Sequence, residues 1–142
     1  MTGNPYRDHM AERVFGADPV ELIVVLYEEL VRSIGEARRH LAGGRPLERA
    51  RAVTRAMEIV GELARAVDAG ADAGLAGRLC QLYGFMLERL QAGHGQQVDR
   101  PFEEAERVAL TLLEGWRGIR AQQVHGAVGE ASVEAPAVSL AG

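Results

Sequence analysis

Apolar residues recur in this sequence at spacings of three and four, in four stretches separated by Gly, Pro and Asp. Ile23, Tyr27, Leu30, Ile34, Ala37 and Leu41 form the first stripe. Ala50, Val53, Met57, Val60, Ala64 and Val67 form the second. Leu75, Leu79, Leu82, Tyr83, Met86 and Leu90 form the third, and Phe102, Ala105, Ala109, Leu112, Trp116 and Ile119 the fourth. This spacing puts each set on one face of an α-helix, and a one-sided stripe must be covered by another helix.

The punctuation between the stripes sets the boundaries. Asp18-Pro19-Val20-Glu21 is a helix start: Asp at the N-cap accepts from free backbone N–H groups, Pro fits the first turn, and Glu reaches back toward the cap. Helix 1 is expected from Pro19 to about Leu41, where Gly43-Gly44 ends it. Pro46 restarts the chain, and helix 2 is expected over about 46–67. Asp68-Ala69-Gly70-Ala71-Asp72 reads as a break, helix 3 as about 74–92, and Gly93-His94-Gly95 as a second break. Asp99-Arg100-Pro101 starts helix 4, which is expected to reach about Gln123. Such helices are roughly 28–36 Å long. Their short connections favour antiparallel neighbours, so the expected fold is all-α, an antiparallel up-down four-helix bundle. Residues 1–17 are expected to cover the bundle, 18–123 to form it, and 124–142 to be a flexible tail rich in Ala, Val, Gly, Ser and Pro.

Composition removes several function classes. The net charge is −4 and all 16 basic residues are Arg, interleaved with acids and without a basic block, so neither nucleic acid nor membrane is the expected partner. No apolar run approaches a membrane span, and the first residues lack the apolar core of a signal peptide. A single cysteine, Cys80, excludes an internal disulfide framework and fits a reducing cytoplasm. His9, His40, His94 and His125 are scattered. A di-metal bundle needs Glu-x-x-His, whereas Glu36 precedes His40 by four residues, so no metal and no cofactor are expected. His40 suits the C-terminal dipole of helix 1, and Cys80 reads as a buried inert thiol. The glycines form neither a phosphate-cradling nor a dinucleotide pattern, and no enzymatic activity is expected.

The helices carry more apolar surface than one stripe each. Leu22-Ile23-Val24-Val25-Leu26 points in nearly every direction around helix 1, so this half of the helix needs cover all round. Ile59 and Leu63 project roughly 80–120° from the Val53/Val60 stripe, and Phe85 about 120° from Leu79. Leu110 and Leu113 lie off the Leu112/Trp116 line. For Leu63 and Leu113 a wide stripe between two neighbours and a groove for a partner are both open readings. Ile59 and Phe85 are expected to face water, as part of a groove for an amphipathic helix or extended peptide. Met10, Val14 and Phe15 could cover part of that surface in the free protein.

These stretches resemble the flagellar secretion chaperone family of the FliS type. Tyr6 matches a tyrosine near the family's N-terminus. Asp18-Pro19-Val20-Glu21-Leu22-Ile23-Val24-Val25-Leu26-Tyr27 is similar to its Ser-Pro-x-Glu-Leu-Ile-x-x-Leu-Tyr helix start. Arg55-Ala56-Met57-Glu58-Ile59-Val60-Gly61-Glu62-Leu63 resembles Arg-Ala-x-x-Ile-Ile-x-Glu-Leu. Leu79-Cys80-Gln81-Leu82-Tyr83-Gly84-Phe85-Met86 resembles Leu-x-x-Leu-Tyr-Asp-Tyr-Met, and Leu112-Leu113-Glu114-Gly115-Trp116 its closing Leu-Leu…Trp. The chain departs from the pattern at Gly84-Phe85, which stand for Asp-Tyr. Any polar contact of that acid and hydroxyl is lost, and Gly84 softens the helix.

The resemblance implies a cytoplasmic, non-enzymatic chaperone. It would bind the C-terminal segment of flagellin, which is disordered before polymerisation, and help deliver it to the export gate of the flagellar secretion system. It also implies that an N-terminal segment occupies part of the client surface in the free state. Tyr6, Leu26, Tyr27, Ile59, Leu63, Tyr83, Phe85 and Met86 are the residues expected near the client; Tyr27, Tyr83 and Met86 also sit on core stripes and have a core role as their alternative, and Tyr6 could instead dock on the bundle or contact the export gate. A helical-bundle adapter for another secreted or signalling protein is the alternative.

Overall fold

A computed structural model of the chain describes residues 19–70 and 73–128. These residues form four helices: α1 (Pro19–Ala42), α2 (Pro46–Gly70), α3 (Ala73–Gln96) and α4 (Arg100–Val128). α1 packs against α2 and α4, and α3 packs against the same two helices. The result is the expected all-α bundle, a ring of four in which each helix has two principal neighbours.

Ion pairs show the antiparallel run of α1 and α4. Arg38, late in α1, grips Asp99 just before α4 through Nε (2.8 Å to Oδ1) and Nη2 (2.7 Å to Oδ2). Its Nη1 donates to Glu106. Glu28 and Glu21, early in α1, accept from Arg117 (3.1 Å) and Arg120 (3.0 Å), late in α4. Exposed pairs of this kind contribute roughly 0–1 kcal/mol each, so they fix register more than they supply stability.

The helix ends follow from local chemistry. α1 stops in a Schellman motif: Arg45 N–H donates to His40 C=O (2.9 Å), Gly44 N–H donates to Leu41 C=O (3.2 Å), and Gly44 sits at φ 69°. Asp99 caps α4, its carbonyl accepting from Glu103 N–H at 2.9 Å.

The expected break at Gly93-His94-Gly95 is corrected: α3 runs through it to Gln96. Gly93 is buried because the Phe102 ring lies against it. A Cβ there would stand 2.8 Å from Phe102 Cδ1. The helix ends instead on Gln97, at φ 61°, whose N–H donates to Gly93 C=O (2.9 Å). α2 likewise continues to Gly70, into the expected break, and α4 to Val128, past its expected end at Gln123.

The interior is aliphatic, as the stripes require. Leu30, Ile34, Val60, Leu90 and Phe102 are among its fully enclosed side chains. All five residues of Leu22–Leu26 are buried or half-buried, in keeping with a helix half that is apolar all round. Cys80, expected to be buried, is exposed. In α4 the inward line passes through Ala105, Ala109 and Leu113, while Leu112 and Trp116 are half-buried at its side.

Candidate functional site

Six of the eight residues expected near a client lie inside the bundle. Leu26, Tyr27, Ile59, Leu63, Tyr83 and Met86 are all at most 3% exposed. Ile59 is the clearest correction, because it was expected to face water and is fully enclosed. The buried residues of α2, from Ala52 and Val53 to Leu63 and Val67, span an arc of about 120°. A helix with neighbours on two sides requires an arc that wide, and Ile59 lies at its edge. Phe85 is the candidate that faces water, at 42% exposure. Tyr6 and the expected N-terminal cover lie outside the described residues.

Tyr27 and Tyr83 meet in the core. Their hydroxyls are 2.8 Å apart, so the bond joins α1 to α3 across the ring. Burial, the neighbouring Tyr83 and the bond itself push the Tyr27 phenol well above its ordinary range, and the Trp116 indole opposes this slightly. Tyr83 is also raised, chiefly by burial, with Tyr27 acting against the rise. A hydroxyl pair of this kind is a neutral, buried structural tie. Among the described residues, no three His, Cys, Asp or Glu side chains could hold a metal ion. None of the described helices is long and apolar enough to cross a membrane.

Among the described residues, large apolar side chains are exposed at Leu47 on α2, Leu82 and Phe85 on α3, Val98 after it, and Leu110 and Val124 on α4. Leu82 is 36% exposed beside Phe85, one helical turn away on the same side. That side also carries Arg89, which reaches Glu104 of α4 at 3.0 Å. Leu82 and Phe85 therefore sit along the α3/α4 edge.

The sequence matches the family described as flagellar protein FliS over residues 2–123. The chain belongs to the FliS family. A relative from Pseudomonas aeruginosa, named flagellar secretion chaperone FliSB, is 28% identical over 107 residues, covering 75% of this chain and 85% of the relative. In this FliS-family member the four motif stretches fall on different helices. Three of them converge: the tyrosines of the α1 and α3 stretches bond each other, with Trp116 of the α4 stretch beside them.

Several features of this FliS-family bundle had no signal in the sequence. Leu82 fits the third stripe by spacing, yet it is exposed, because α3 buries only Leu79, Tyr83, Met86, Leu90 and Gly93. Arg49 is nearly enclosed at 6% exposure and donates through Nε to His94 Nδ1 (3.0 Å). That contact joins the start of α2 to the end of α3, where the negative end of the α3 dipole favours a cation. Neither the break assigned at Gly93-His94-Gly95 nor any local spacing could show it.

Proposed function

We propose that this chain is a cytoplasmic flagellar export chaperone. It binds the disordered C-terminal segment of flagellin, keeps it from polymerising early, and aids its delivery to the flagellar export apparatus. The match to the FliS family over residues 2–123 carries this reading. The name of the Pseudomonas aeruginosa relative, flagellar secretion chaperone, supports it. So does the physics of such a client. A disordered segment that folds on binding spends part of its interaction energy on ordering, which leaves an affinity suited to release.

In this reading Phe85 is a direct contact for the client. Leu26, Tyr27, Ile59, Leu63, Tyr83 and Met86 form the apolar body behind the surface and meet the client where helices shift, and Tyr6 belongs to the N-terminal segment that exchanges with it. Titration of the purified chain with a peptide of the host flagellin's C-terminal segment tests the proposal. Saturable one-to-one binding is expected at micromolar concentration, weakened about tenfold by Phe85→Ala. Absence of saturable binding would sink the reading and favour an adapter for another secreted or signalling protein.

A further inference from the structure

The two halves of α3 are held very differently. After Gly84, Met86 and Leu90 are fully enclosed, Gly93 lies against the Phe102 ring, Arg89 pairs with Glu104, and His94 accepts from Arg49. Before Gly84, the enclosed residues are Leu79 and Tyr83, while Leu75 and Ala76 are half-buried. This stretch also contains Gly74 and Gly77, and among the described residues a Cβ at Gly77 or Gly84, as at Gly95 in the other half, would meet nothing within 4 Å. Packing among the described residues therefore requires glycine at neither Gly77 nor Gly84, yet each lowers helix stability relative to alanine. The Tyr83 hydroxyl, bonded to Tyr27 at 2.8 Å, lies at the boundary between the halves.

We propose that residues 73–83 form a separately opening unit, latched by the Tyr27–Tyr83 hydrogen bond and hinged near Gly84, while the rest of α3 stays docked. Opening presents the Leu79 side chain and the Tyr83 ring, and uncovers the neighbouring face of α2. Local opening with a free energy below that of global unfolding is expected where buried contacts are few. The use of this opening to admit a client rests on the chaperone reading. The opening itself does not, and its test needs no client, so the two can fail separately.

Native-state hydrogen exchange of the full chain tests the unit. Amides of residues 77–83 exchange at least about tenfold faster than those of α1 residues 27–37, with little dependence on low denaturant, because little surface opens. Ile34→Val lies in α1, one turn before the Arg38 clamp, and the proposal has this part of α1 stay packed when 73–83 opens. It speeds exchange in α1 about fivefold and leaves 77–83 unchanged. Tyr83→Phe breaks the latch and speeds exchange at 77–83 about tenfold. Equal protection in the two segments, with both responding alike to Ile34→Val, overturns the separate unit. Unchanged exchange at 77–83 in Tyr83→Phe overturns the latch.

Discussion

Replacing Gly93 by alanine should destabilise the bundle, although alanine is the better helix former. The added Cβ would lie 2.8, 2.9 and 3.0 Å from Cδ1, Cε1 and Cγ of Phe102. Carbon atoms in contact prefer about 3.5–4.0 Å, so the ring must retreat by roughly 0.7 Å. It has little room to do so. Phe102 is fully enclosed, and its backbone sits in the first turn of α4, directly after the Asp99 cap that Arg38 holds through two hydrogen bonds. Overpacking of this kind costs about 1–3 kcal/mol, against a helix-propensity gain of about 0.5–1 kcal/mol. The net loss is about 1–2 kcal/mol, or a fall in Tm of about 3–10 °C for a chain of this size. Thermal and urea unfolding followed by circular dichroism measure it. Gly84→Ala is the control, since nothing among the described residues lies within 4 Å of its Cβ position, and it should gain about 0.5–1 kcal/mol. Phe102→Leu should be less harmful in the Gly93→Ala background than in the parent, with a coupling of about 1 kcal/mol. A Gly93→Ala protein as stable as Gly84→Ala, with no coupling to Phe102, would refute the close approach of α3 and α4.

Ser33 is fully enclosed in α1 and its hydroxyl has no hydrogen-bond partner among the described residues. Ser33→Ala should therefore stabilise the fold by about 1–2 kcal/mol in urea unfolding. Gln97 holds a left-handed backbone at φ 61°, so Gln97→Gly should raise stability by about 1 kcal/mol. Tyr27 and Tyr83 both have raised phenol pKa values. Their contribution is fully present below about pH 10, where unfolded tyrosine begins to ionise, and is lost above it at up to about 1.4 kcal/mol per pH unit for each group. Alkaline unfolding should thus coincide with the late rise in tyrosinate absorbance, and a rise that precedes unfolding would contradict the burial. Tyr83→Phe should lower global stability by about 1 kcal/mol and yet bind the flagellin segment more tightly, as a titration of parent and variant would show.

The fold was legible because its dominant signal is periodic. Four stripes, an Asp-Pro start and a Gly-Gly stop are local patterns, and they mark α1 to within a residue of its ends. The errors arose where a residue's role is set by a distant partner. Gly93 reads as a helix breaker in isolation, but it is the flat patch on which the Phe102 ring rests. Ile59 reads as off-stripe until α2 is known to have neighbours on two sides. Leu82 and Leu113 show that spacing fixes a face only to within the width of a side chain, because one sits outside the expected core line and the other inside it. The candidate site was readable as a set of positions, through the family resemblance. Which of those positions reach the surface depends on tertiary packing, and composition carries no trace of it.

Burial of Tyr27, Tyr83 and Met86 bears directly on how such a chaperone could hold a client. A site that is present only in an opened state binds with its intrinsic affinity divided by the open fraction, so the apparent dissociation constant grows as the latch tightens. Stability and affinity then move in opposite directions for any variant that acts on the latch. They are independent for a variant whose packing is the same in the closed and opened states. Ser33→Ala and Tyr83→Phe form such a pair: the first should raise global stability without changing client affinity, the second should lower stability and strengthen binding. Surface contact through Phe85 alone predicts no such divergence, because the exposed ring is available in every state of α3. The relation between the two variants therefore separates a client that docks on the closed bundle from one that enters it.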